Sequence, residues 1–148
     1  MKKLILIYLL IALFGSLQAQ NTLSVLSYPS DRGLGLRYDR QIQSSGLYIA
    51  MSKGNYRISE SERIDNHIKT AIGYVRYMES YYDDFTHTYF SAGVSYHYYS
   101  NRISGLLNRV YYPVSFDLGC GAKFEHTMVG FVFDFIKHEG GINFGVNF

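Results

Sequence analysis

The chain has one cysteine, two prolines and little excess of either charge. A single cysteine, Cys120, excludes an internal disulfide framework. Its plain reading is a small apolar strand residue, because no His–Asn or His–Asp partnership stands near it to make it a nucleophile. With so little proline and no Ser-rich or low-complexity tract, the chain offers no linker and reads as one domain. No basic run is present, which argues against nucleic acid. Metal-ligand spacing is missing too. His67, His126 and His138 fall at turns or strand ends, and His87 and His97 lie a strand length apart, so neither a metal nor a cofactor is expected. Glu60, Glu62 and Asp65 read as solvated loop charges. Gly33-Leu34-Gly35 has no helix behind it to make a phosphate site.

Long apolar runs are also missing, except for one. Lys2 and Lys3 precede an apolar stretch from Leu4 to Phe14, then Gly15-Ser16-Leu17-Gln18-Ala19. About 11 apolar residues fall short of the roughly 20 that a spanning helix needs. The pattern is that of a secretory signal, cut after Ala19. Residues 1–19 are therefore expected to be a signal peptide and residues 20–148 the mature domain. Loss of Lys2 and Lys3 leaves the mature chain close to neutral, from 14 basic and 12 acidic groups in the whole.

What the mature chain has in abundance is aromatic residues, 15 Tyr and 10 Phe, together with glycine. Alternation with period two recurs along it, and no 3.6-residue period does. The last nine residues are the clearest case. Ile142, Phe144, Val146 and Phe148 share one strand face, and Gly141, Asn143, Gly145 and Asn147 share the other. An apolar face toward lipid and a small polar face toward a lumen is the pattern of a transmembrane barrel.

Eight such strands are expected, at Thr22–Tyr28, Gly33–Gln41, Leu47–Gly54, His67–Met78, Thr88–Tyr99, Tyr111–Phe124, Thr127–Ile136 and a last one after Lys137-His138-Glu139. The expected fold is all-β, an eight-stranded antiparallel up-and-down transmembrane β-barrel. Ser44-Ser45-Gly46, Glu79–Asp84 and Glu125-His126 would turn the chain on the periplasmic side. Pro29–Arg32, Asn55–Asn66, Ser100–Arg109 and Lys137–Glu139 would face outward. Tyr81-Tyr82, Tyr98-Tyr99 and Tyr111-Tyr112 sit near strand ends, where amphipathic rings favour the membrane boundary.

Alternation places Arg37, Asp39, Lys69, Ser95, His97, Asp117, Lys123 and Asp134 inside, as a paired network filling the lumen. A narrow proton or ion path is the functional alternative. Glycines on that face relieve crowding, and a wide water channel is not expected. Arg76 falls on the lipid face, which calls for either a headgroup position or a bulge.

Signal, strand count and the terminal Gly145-Val146-Asn147-Phe148 together make the mature chain resemble the small eight-stranded outer-membrane proteins of the type named A and X. The resemblance is architectural and carries no functional residue. It implies a Gram-negative outer membrane, contact with its lipid, a porin-like but closed barrel, and a monomer. It also implies insertion by the barrel assembly machinery, for which Phe144, Val146 and Phe148 would be the signal. The role expected is structural or surface-interacting, without catalysis. One enzyme among such barrels, the lipid A 3-O-deacylase, uses His-x-Ser-Asn, with His as base and Ser as nucleophile. Here His97-Tyr98-Tyr99-Ser100-Asn101 is similar but one residue longer, leaving His97 and Ser100 as weak candidates on opposite strand faces. A soluble lipocalin-type barrel, with its apolar face turned inward around a ligand, is the competing fold.

Overall fold

A computed structural model describes residues 20–29, 32–57, 63–79, 87–99 and 113–148. Eight strands follow one another in chain order: β1 (Gln20–Tyr28), β2 (Gly33–Ile42), β3 (Ser45–Arg57), β4 (Arg63–Glu79), β5 (His87–Tyr99), β6 (Val114–Lys123), β7 (Thr127–Asp134) and β8 (Glu139–Asn147). Each pairs antiparallel with the next, and β8 pairs with β1, so the sheet closes into a barrel. The lipid A candidate Ser100, the pairs Tyr81-Tyr82 and Tyr111-Tyr112, Glu60, Glu62 and residues 1–19 lie outside the described residues.

Alternation decides which way each side chain points. Among the described residues 28 large apolar side chains are exposed, against ten in the core. Phe131, Phe133, Phe135, Phe144 and Phe148 all face out. The interior holds Arg37, Asp39, Lys69, Asp117, Lys123, Asp134, Lys137 and Glu139 instead. That inversion removes the lipocalin-type alternative, which needs the phenylalanines inside.

The seam between β1 and β8 is held at the terminal end of the barrel. Asn21 and Phe148 exchange two backbone hydrogen bonds of 2.9 Å each. The Thr22 hydroxyl donates to Asn147 Oδ1 at 2.7 Å, and Asn147 Nδ2 donates to the Phe124 and Thr127 carbonyls at 2.6 and 3.2 Å. Asn147 thus ties the last strand both to the first and to the β6–β7 turn.

Several boundaries differ from the sequence reading. The β2–β3 turn is Gln43-Ser44, with Ser45 and Gly46 already paired to Ile42 and Gln41. Gln43 takes a φ of 55°, the left-handed conformation that so short a hairpin turn demands. The expected loop Asn55–Asn66 is mostly strand, since β3 runs to Arg57 and β4 starts at Arg63, past a register shift between Gly54 and Tyr56. At 17 residues β4 far exceeds the roughly 10 needed to cross a bilayer, and its pairing with β3 continues past Lys53, the last β3 residue that β2 pairs. The sixth strand begins at Val114, after Pro113, while Tyr111 lies outside the described residues; β7 stops at Asp134, where Phe135–His138 turn the chain. Glu139, expected in that turn, is a buried residue of β8.

Tyr98 and Tyr99 do not act as a pair. Neighbours on a strand point to opposite faces, so Tyr98 is exposed while Tyr99 is buried. Arg76 sits on the outward face next to the Gln43-Ser44 turn, opposite Ser45 and Phe90, with no bulge at that level.

Candidate functional site

Among the described residues, the buried charged and polar side chains gather in the interior, and glycine makes room for them. A Cβ on Gly93 would lie 2.9 Å from Tyr48 Cζ, and one on Gly141 would lie 2.8 Å from two ring atoms of Tyr28. Gly121 and Gly130 bear the same relation to Tyr89, at 2.7 and 2.8 Å. Three inward tyrosines therefore lie against glycines one or two strands away. Each ring covers backbone that would otherwise be bare.

Toward the terminal end, Arg37 is the centre. Its Nε donates to both Asp39 oxygens at 3.0 and 2.9 Å, and Nη2 donates to Oδ1 at 2.6 Å. The guanidinium lies 4.1 Å from the Tyr48 ring centroid and 5.9 Å from that of Tyr89. A planar, weakly hydrated cation suits such a stack, which an ammonium could not make in the same way. Below it, Lys123 donates to Gln41 Oε1 at 2.6 Å and stands 5.1 Å from the Tyr77 ring.

Toward the loop end, Lys69 bridges two carboxylates, Asp117 at 2.7 Å and Asp134 at 2.8 Å. Asp134 also accepts from Ser115, from the Lys137 backbone N–H at 3.0 Å, and from His97 Nε2 at 2.9 Å. His97 Nδ1 meets His67 Nε2 at 2.8 Å, and His67 stacks on Tyr99 with centroids 4.8 Å apart. If His97 Nε2–H donates to the carboxylate, Nδ1 must accept from His67 Nε2–H.

The structure therefore buries Arg37, Asp39, Lys69, Ser95, His97, Asp117, Lys123 and Asp134 in one interior and divides them into two clusters. Sequence reading left out His67, Tyr28, Tyr77, Tyr89, Tyr99, Lys137 and Glu139. Parity would have found the tyrosines, since Tyr77 alternates in step with Gly73, Tyr89 with Ser91 and Gly93, and Tyr99 with His97. Among the described residues four buried cations, Arg37, Lys69, Lys123 and Lys137, stand with four buried carboxylates, Asp39, Asp117, Asp134 and Glu139, so their formal charges cancel.

Ser95, His97 and Asp134 are a Ser, a His and an Asp within reach of one another, but not in a catalytic order. A nucleophilic triad places hydroxyl and carboxylate on opposite imidazole nitrogens. Here Ser95 Oγ at 3.3 Å and Asp134 at 2.9 Å share His97 Nε2, and His67 holds the other nitrogen. Ser95 is wholly buried. The arrangement engages both imidazole nitrogens of His97 within the interior. Among the described residues no group of three or more His, Cys, Asp or Glu could hold a metal ion.

No protein-family model matches the chain, and no curated protein matches its sequence significantly. Solved structures share its fold, two of them as follows. One is the N-terminal β-barrel domain of Pseudomonas aeruginosa OprF, with a TM-score of 0.57 and 15% identity, covering 88% of this chain and 96% of that one. The other comes from the de novo design of transmembrane β-barrels, with a TM-score of 0.50 and 9% identity, covering 88% and 92%. The fold is that of the small eight-stranded outer-membrane barrels.

Proposed function

We propose that this protein is an integral outer-membrane barrel with a closed lumen and a structural or surface-interacting role. In this reading residues 1–19 direct export and are removed, and residues 20–148 are inserted as a monomer by the assembly machinery, which reads Phe144, Val146 and Phe148. The observation that carries the reading is the inverted distribution of side chains, with phenylalanines outside and ion pairs inside. In water such an outer face would be an aggregation surface; in hydrocarbon it is the matching solvent. The interior supports a closed barrel, because its charged groups are engaged with one another across the lumen. The long β3–β4 ladder supports a role at the loop end, where it could meet a partner.

The test is gel migration of an outer-membrane fraction with and without boiling. A faster unboiled band in that fraction is the expected result. Protein recovered from the soluble periplasm, with a single unshifted band, would refute the membrane reading.

A further inference from the structure

The outward face is not filled evenly. Across β6, β7 and β8 runs an apolar groove of about 520 Å3, within the size range of small-molecule sites. Phe133, Phe135 and Ile142 line it, and Pro29 borders it where β1 ends. It owes its depth to Gly140, which stands directly across from Phe133 and is exposed. A Cβ there would meet nothing within 4 Å, unlike the interior glycines packed under tyrosine rings.

The groove ends at two turns. Pro29 opens the β1–β2 turn, which carries Arg32, and Gly140 follows the β7–β8 turn, which carries His138. Both side chains are exposed, and β1 is the pairing neighbour of β8. Tyr28 pairs with Gly33, so Arg32 stands across the β1–β2 turn from Pro29, which borders the groove. We propose that the groove seats an acyl chain of an anionic phosphate-bearing lipid, with the headgroup phosphate against Arg32.

The proposal rests on the membrane reading above. Apolar area alone gives no preference, since bulk lipid is equally apolar. Selectivity must come from the fit of a chain into the gap at Gly140 and from the charge at Arg32.

The chain has no tryptophan, so a single introduced one reports its own surroundings. F131W places it in the groove wall, and L36W places it on exposed outward surface elsewhere. Each variant is folded into phosphatidylcholine vesicles holding a minor fraction of phosphatidylglycerol with brominated chains, which quench nearby tryptophan. Quenching at F131W should exceed that at L36W by about fivefold, the scale of one arginine near an anionic surface. Adding G140F, which fills the groove, or R32Q should remove the excess. Equal quenching at both positions, or an excess that survives either substitution, would overturn the proposal. No quenching at either position would instead overturn the membrane reading, and this proposal with it.

Discussion

At the scale of single residues, the interior depends on buried charges held by partners. Lys69 holds Asp117 and Asp134 together at 2.7 and 2.8 Å. Lys69→Met would leave two carboxylates facing each other, and breaking a buried pair in this way costs about 3–5 kcal/mol. Urea titration of the barrel folded in vesicles should show that loss, and D117N added to K69M should recover part of it. An unchanged midpoint for K69M would mean that the ion triad contributes nothing. Face was legible in the sequence for these residues, because parity along each strand assigns Arg37, Asp39, Lys69, Asp117, Lys123 and Asp134 to one side. Partnership was not. Asp134 lies 65 residues from Lys69 and meets it only because β4 and β7 approach across the lumen.

At the scale of elements, ring and glycine work as units. Gly130→Ala would push a methyl group into Tyr89, and overpacking of this kind costs about 1–3 kcal/mol. The same titration should show it, with Y89A in the G130A background giving some of it back. The last strand is a unit as well. Phe148→Asp, or deletion of β8, should block assembly, seen as loss of the heat-shifted band; wild-type yield of folded protein would sink the terminal-strand argument. The strands themselves were legible from alternation, while the ends of several were not. Asn55–Asn66 reads as loop because its composition is polar, yet pairing of β3 with β4 resumes beyond the Gly54/Tyr56 shift and carries the hairpin outward. Ladder hydrogen bonds do not depend on side-chain polarity, so composition misjudges a strand that has left the apolar belt.

At the scale of the molecule, eight strands enclose a lumen that Arg37, Tyr48, Tyr89, Lys69 and His97 already occupy. Planar bilayers containing the purified barrel should therefore show no stable steps of porin size; large, persistent steps would contradict a filled lumen. Closure of the ring has a further consequence, one of motion. An open sheet frays from its border strands, so its amides exchange with solvent in graded fashion. In this barrel every strand has a neighbour on both sides, β1 and β8 included. Unpairing any one strand must rupture two ladders at once. Deuterium uptake in the strand centres should accordingly arrive together, in a single slow event shared around the whole circumference.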